Sequence, residues 1–146
     1  MPDAAIGVDV LIGFPGESDS AFENTYNLIE KLPISYLHVF PFSARPGTKA
    51  ADLPHKVDVA IIKERCQRMR ILGNDKRMKF FQGFIGQVLP ILLETNREAS
   101  TNFLKGMSSN YIPVLIDAGD NLKNKIVDVT IEKHIGRHML GALRHA

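Results

Sequence analysis

This chain lacks several features that would define its class. Cys66 is its only cysteine, which excludes an internal disulfide framework and favours a cytoplasmic setting. No run approaches the roughly 18 apolar residues that span a membrane, and no signal-peptide pattern opens the sequence. We therefore expect a cytoplasmic protein without a membrane partner. The 146 residues are enough for one domain or two small ones.

The net charge is only +2, but it is unevenly distributed along the chain. Residues 1–55 carry three Lys/Arg against seven Asp/Glu, and residues 80–146 carry seven against six. Residues 56–79, in contrast, carry eight against three. This basic segment is either a nucleic-acid footprint or the solvated face of a helix, and charge alone favours the helix face.

The first part of the chain predicts a β-α-β unit. Residues 5–13 read as a strand buried on both faces, and residues 36–42 read as a second apolar strand. Between them lies a helix that Pro33 ends, with Ser20 or Ser18 as its N-terminal cap. The two strands should be parallel, because a helix connects them.

The turn Gly13-Phe14-Pro15-Gly16-Glu17 lies between the first strand and the helix. In parallel sheets this turn and the loop containing Arg45 reach the same carboxyl-terminal edge, where α/β folds place their ligands. The alternative is a tight connection with no chemistry, since Gly and Pro punctuate turns everywhere.

A second helix is predicted after Asp58. Ile62, Cys66 and Met69 share one apolar face, which predicts that Cys66 is a core residue and neither a metal ligand nor a nucleophile. We expect Gly73 to kink or end this helix and residues 76–81 to resume it.

From residue 83 the pattern changes to short, alternating strands separated by Gly and Asn turns. Strands are predicted at residues 87–94, 111–117 and 127–131. Because proline cannot donate a backbone hydrogen bond, Pro90 and Pro113 are expected on edge strands, at strand starts or in bulges. The fold class is therefore an α/β part, residues 1–82, followed by a small, closed or nearly closed all-β barrel, residues 83–146.

These pieces resemble the C-terminal half of the radical-SAM methylthiotransferases over nearly the whole chain. Asp9–Glu17 is similar to the family's strand-and-turn motif, and Tyr36–Thr48 is similar to the last strand of its partial (β/α) barrel. The β-rich remainder resembles the appended TRAM domain, an OB-like RNA-binding barrel. The segment His38-Val39-Phe40-Pro41 is most similar to the branch that modifies threonylcarbamoyl-adenosine beside the tRNA anticodon.

The resemblance implies methylthio transfer to a tRNA adenosine, with S-adenosylmethionine (SAM) and 4Fe–4S clusters as cofactors. The three-cysteine motif of the radical cluster is absent here. The isolated chain is therefore expected to be inactive and to bind none of these cofactors stably. The isopentenyl-adenosine and ribosomal-protein branches share most of these motifs and remain alternatives.

The resemblance also assigns site residues. The SAM adenosyl group would lie against Gly13, Phe14, Pro15, Gly16 and Glu17, where Glu17 accepts a hydrogen bond or favours the helix N-terminus. Arg45 would bind a SAM carboxylate or an RNA phosphate, or form a surface ion pair.

In the barrel, the proposed partner is the tRNA anticodon stem-loop, and no DNA partner is expected. RNA phosphates would contact four basic side chains of the barrel, and an unstacked base would contact Asn110 and Tyr111. For Tyr111, packing inside the barrel is the favoured prediction. His38 is expected in the core, and His134 and His138 show no metal pattern. The basic residues concerned are Lys105, Lys123, Lys125 and Arg137.

A freestanding RNA-binding or interaction module is the competing function, in which the β-α-β portion is a docking surface. A C-x-x-x-C-x-x-C pattern upstream of Met1 in the coding sequence would favour the enzyme fragment. We also expect an exposed apolar sheet edge near Val10 and Val39, through which the chain could dimerise.

Overall fold

The computed structural model describes residues 3–144, which fall into two compact units. The α/β unit is Ile6–Arg77, and the barrel unit comprises the described residues from Met78 onward with those before Ile6. The elements in chain order are β1 (Gly7–Ile12), α1 (Asp19–Lys31), β2 (Tyr36–Pro41), α2 (Val59–Gln82), β3 (Val88–Arg97), β4 (Leu104–Ser108), β5 (Pro113–Ile116), β6 (Ile126–Ile135) and β7 (His138–Leu143).

The β-α-β unit is confirmed, because β1 and β2 pair in parallel from Gly7 opposite Tyr36 to Ile12 opposite Pro41. Of the two predicted caps, Ser18 is the one that starts α1. Its Oγ accepts a hydrogen bond from the Ala21 amide at 3.1 Å, satisfying a donor that has no partner within the helix.

The prediction that β1 is buried on both faces is wrong. Val10 and Ile12 are buried with Phe22 of α1 and Met69 of α2. Leu11, which points the other way, is 51% exposed, as is Phe40 of β2 at 50%. Two strands alternate their side chains between faces, and both helices of the unit pack on the same one. The other face therefore remains open in the α/β unit.

Helix α2 runs without interruption past Gly73, so the prediction that the helix ends there and resumes at residue 76 is wrong. A Cβ at Gly73 would lie 3.1 Å from Leu37 Cβ, so the glycine serves a close approach of α2 to β2. The predicted cap and the predicted burial of Cys66 are confirmed. Asp58 Oδ1 accepts from the Ala60 amide at 2.7 Å, and Cys66 and Met69 are buried.

The β-rich region is a closed barrel with strand order β3-β4-β5-β7-β6, as the alternating pattern predicted. Parallel pairing of β5 with β7 closes it, and all other strand pairs are antiparallel. Pro113 begins β5, and Pro90 precedes the first β3 residue that pairs with β4. The core contains the inward residues of every strand, among them Ile91, Leu93, Leu104, Val114, Val129, Ile131 and Met139.

Candidate functional site

The turn after β1 has the hydrogen bond and residue order of a type II turn. The Glu17 amide donates to the Phe14 carbonyl at 2.9 Å, with Pro15 and Gly16 as the central residues. Gly16 has φ +89°, the left-handed value that this turn requires at its third position and that glycine adopts without strain. No atom lies within 4 Å of where a Gly16 Cβ would be, so the backbone there is open to a ligand.

Glu17 is held by the protein through both of its carboxylate oxygens. Oε2 accepts from the Gly13 amide at 3.1 Å, and Oε1 pairs with Arg65 Nη1 at 2.6 Å. The Glu17 side chain is 15% exposed. The carboxylate therefore fixes the turn on its own strand end, a role that neither of the two sequence interpretations of Glu17 included.

Arg65 of α2 is the centre of this arrangement. Its guanidinium contacts the Glu17 carboxylate, the Glu17 carbonyl at 3.1 Å and Asp19 Oδ1 at 2.6 Å. Burial lowers the pKa of Arg65, but the hydrogen bonds to Asp19 and Glu17 outweigh it and leave the pKa raised. The planar fork of arginine suits this bridging position, because it donates to several oxygens at once.

Two other segments reach the same edge of the sheet. Phe42, just after β2, packs edge-to-face on Phe14 with ring centroids 5.3 Å apart. The His55 carbonyl accepts from the Gly16 amide at 2.9 Å. Arg45 also follows β2 and is exposed, and within residues 3–144 its guanidinium forms no ion pair and no hydrogen bond.

Sequence reasoning missed Arg65, although a signal was present. Arg65 lies three residues after Ile62 and one before Cys66, within the apolar stripe of α2. A charge in a buried stripe needs a partner, because an unpaired buried ion is very costly. Glu17 and Asp19 were the carboxylates available at the sheet edge.

The structure assigns much of the basic segment to bonds within the α/β unit. Arg68 pairs with Glu23 at 2.6 Å and lies over the Phe22 and Tyr26 rings. Lys76 donates to the carbonyls of Glu30 and Leu32. These cations hold α2 on α1, so this part of the basic segment stabilises the unit and is not merely a solvated face.

The prediction that His38 is a core residue is wrong. It lies on the open face of the sheet and is exposed. Its ring packs edge-to-face on Tyr36 at 5.4 Å and stacks near Phe40 at 6.5 Å. The expectation failed because it assumed that both faces of β2 are covered.

The predicted RNA-binding cations occupy different parts of the barrel. Lys105 lies on β4, Lys125 immediately precedes β6, and Arg137 lies in the β6–β7 turn. Lys125 and Arg137 are exposed, and no ion pair involves them or Lys105 within the described residues. Lys123 differs, since its Nζ lies 3.0 Å from Asp120 Oδ2 and Asp120 also pairs with Arg97.

The loop between β4 and β5 contains the two predicted base contacts. Asn110 lies in the turn after β4, and its Oδ1 accepts a hydrogen bond from Ser108 Oγ at 2.5 Å. Tyr111, however, is 70% exposed, so the favoured prediction that it packs in the barrel is wrong. Its φ of +62° turns the side chain outward, while the next residue, Ile112, fills the core.

Metal-binding chemistry has little support among residues 3–144. They contain no group of three His, Cys, Asp or Glu that could hold a metal ion. Burial raises the pKa of the Cys66 thiol. Burial also lowers the pKa of His138, and the nearby charge of Lys105 adds to this effect. In the same range, no helix combines the length and apolarity needed to cross a membrane.

Comparison with known proteins relates this chain to the tRNA methylthiotransferases. It is 40% identical over 104 residues to a threonylcarbamoyladenosine tRNA methylthiotransferase of Aquifex aeolicus, which covers 70% of this chain. It is 41% identical over 116 residues, 80% of the chain, to the protein of the same name from Rickettsia prowazekii. A tRNA-2-methylthio-N(6)-dimethylallyladenosine synthase of Syntrophotalea carbinolica is 34% identical over 143 residues, or 94% of the chain.

The chain spans about a quarter to a third of the length of these relatives, with coverages of 25%, 26% and 33%. The matched region is their C-terminal portion. No family model matches the chain. The resemblance inferred from the motifs is thus confirmed, and relatives that modify two different adenosines match this chain with comparable identity.

Proposed function

We propose that this chain is the C-terminal part of a cytoplasmic tRNA methylthiotransferase, with a ligand turn in its α/β unit and an RNA-binding barrel. The observation that carries the proposal is the identity of 34–41% with named tRNA methylthiotransferases over 70–94% of the chain. The substrate would be a tRNA anticodon stem-loop. The similarity of residues 38–41 favours threonylcarbamoyl-adenosine as the modified base.

The geometry of the turn fits one side of a SAM site. Phe14 and Gly16 are exposed at the sheet edge, and the open backbone at Gly16 allows a flat adenosyl group to approach closely. Glu17 would act by fixing this backbone, and Arg45 would offer a cation to the ligand carboxylate. SAM supplies the methyl group and the radical precursor in this family.

The residues of this chain do not fit a 4Fe–4S cluster. Such clusters are held by cysteine thiolates, and the only cysteine here is buried with a raised pKa. We therefore assign no step of the radical chemistry to this polypeptide. The cluster ligands would have to come from outside these 146 residues, so the chain alone would not methylthiolate RNA.

RNA binding is the part of the function that this chain can be tested for directly. Within residues 3–144, Lys105, Lys125 and Arg137 form no ion pair, which suits them to phosphates, and Lys123 would contribute less because Asp120 neutralises it. Asn110 and Tyr111 would meet an unstacked base.

The test is filter binding of a synthetic anticodon stem-loop to the chain at low and moderate salt. We expect weak binding that declines as salt rises, because phosphate contacts release counterions. Absence of binding at low salt would contradict the proposal. Stem-loops carrying threonylcarbamoyl-adenosine or isopentenyl-adenosine would then be compared, and tighter binding of the latter would contradict the branch assignment.

A freestanding interaction module remains the second candidate, favoured by the open face of the β1–β2 sheet. Leu11 and Phe40 are half exposed there, and within the described residues the two strands pair only with each other. In this alternative the chain would dimerise through that sheet. Sedimentation analysis distinguishes the cases, since a monomer at high concentration would contradict dimerisation.

A further inference from the structure

Tyr111 adopts a backbone conformation that is unfavourable for an aromatic residue. Its φ of +62° lies in the left-handed region, where the Cβ of an L-residue crowds the following carbonyl. Asn102 and Asn124 have similar angles, but asparagine tolerates this region because its short polar side chain bonds locally. An asparagine or glycine would therefore suit position 111 better.

Packing does not compensate this strain. Tyr111 is 70% exposed, and its ring contacts no other aromatic ring within residues 3–144. Buried tyrosines contribute through the large area they remove from water, and this ring removes little. The fold thus holds an apolar ring in water at a strained position.

The surrounding loop fixes the position of the ring. The Tyr111 amide donates to the Ser108 carbonyl at 3.1 Å, and the Ile112 amide donates to Ser108 Oγ at 2.9 Å. Asn110 Nδ2 donates to the Asp3 carbonyl at 3.0 Å. Ile112 is fully buried on the other side of the backbone. With both neighbours anchored, Tyr111 has no route to the interior.

We propose that Tyr111 is a preorganised stacking platform for a single unpaired RNA base, a role that rests on the proposed RNA-binding function. Strain that is maintained without a packing benefit is typical of ligand-binding positions. Tyr111 is the one exposed large apolar side chain of the hairpin from Leu104 to Ile116, so it suits one flat ligand better than a protein interface, which needs a contiguous patch. Lys105 on the same hairpin supplies a cation for the phosphate backbone of the RNA strand that carries this base.

The test combines stability and binding, because the proposal predicts that they change in opposite directions. Tyr111→Asn relieves the backbone strain and removes the ring. We expect its melting temperature to rise by about 3 °C, while its affinity for an RNA stem-loop with unpaired adenosines falls about ten-fold. Its affinity for a fully paired duplex of the same stem should be unchanged. Tyr111→Phe keeps the ring and should bind within about two-fold of the wild type.

Ile126→Thr is the matched control, since Ile126 is also 70% exposed on the barrel and lies on a strand that threonine suits. It should leave stem-loop affinity unchanged. If Tyr111→Asn binds the stem-loop like the wild type, or melts at a lower temperature, the platform is refuted while RNA binding stands. If the wild type binds neither RNA, the proposed function fails and the platform with it.

Discussion

The two units of this chain differ in what their main cations contact. In the α/β unit, Arg65 and Arg68 of α2 form ion pairs with carboxylates of the turn and of α1, and Arg65 is almost fully buried. In the barrel unit, Lys105, Lys125 and Arg137 are left without ion pairs among the described residues. The sequence has its strongest basic segment in residues 56–79, yet two of the arginines in that segment are paired with carboxylates in the structure.

This difference shows that charge density along a sequence does not locate a charged surface. A cation whose charge is neutralised by a nearby carboxylate releases few counterions on binding a polyanion, whereas an unpaired surface lysine releases about one. We therefore expect substitutions in α2 to affect mainly stability, and substitutions of barrel lysines to affect mainly RNA affinity.

The largest expected effect is that of Arg65→Met on the α/β unit. It leaves Glu17, which is 15% exposed, without its cation, and breaking a buried ion pair in this way costs about 3 kcal/mol. Urea unfolding measures the change. Arg68→Met is the control, because the Arg68–Glu23 pair is 40% and 44% exposed, and its loss together with the contacts to the Phe22 and Tyr26 rings costs about 1–2 kcal/mol. Equal losses in the two variants would show that Arg65 has no special role.

Gly13→Ala should come next. Gly13 has φ +85°, and an added Cβ would lie 2.4 Å from Ile62 Cγ1, so both the backbone and α2 resist the change at a cost of about 2–3 kcal/mol. Gly16→Ala meets open space and retains only the backbone penalty of about 1 kcal/mol. The comparison is made by the same urea unfolding. A larger loss for Gly16→Ala would contradict the described packing of the turn against α2.

RNA affinity provides the opposite test, with a smaller effect for each residue. Lys125→Gln should weaken stem-loop binding about three-fold and reduce the salt dependence by roughly one counterion. Lys123→Gln should change both the affinity and its salt dependence less, because Asp120 already pairs with Lys123. Arg68→Gln should leave both unchanged. Filter binding over a series of salt concentrations measures all three, and an Arg68 effect as large as that of Lys125 would remove the distinction between the units.

The smallest expected effect is a pH dependence within the barrel. Hydrogen bonds from the Ser100 hydroxyl and from the amide and hydroxyl of Thr101 lower the pKa of Glu98 to about 2. Because the folded pKa lies below the usual value, this stabilisation is complete above about pH 4.5 and is lost as the pH falls towards 2.

Glu98→Gln removes this titration and provides the comparison. Below pH 4.5 the melting temperature of the wild type should fall more steeply than that of Glu98→Gln. Parallel curves for the two proteins would mean that the β3–β4 turn does not depend on the carboxylate.

Local sequence was sufficient for the parts of the fold that depend on near neighbours. Alternating Val129 and Ile131 predicted a barrel strand, and Ile62, Cys66 and Met69 predicted the core-facing side of α2, as the structure confirms. Errors arose where a distant element decides the environment. The exposure of Leu11 and His38 depends on which side of the sheet the helices cover. The need for glycine at position 73 depends on how closely Leu37 of β2 approaches α2.

The candidate site shows the same division. The type II turn follows from Pro15 and Gly16, whose preferences are intrinsic. The role of Glu17 could not be predicted, since its partner Arg65 lies 48 residues away in the sequence. Tyr111 was misjudged because a tyrosine in an alternating region usually packs, and nothing local indicates a left-handed backbone there.

The separation between Glu17 and Arg65 also has a consequence for the order of folding. Contacts that close long loops form late, because the entropy of closure must be overcome before the contact contributes. While the chain is being synthesised, the peptide 13–17 therefore lacks its final shape until α2 has emerged and docked. We expect the Gly13 amide, which donates to Glu17, to gain protection from hydrogen exchange only at that stage, well after α1 has begun to form.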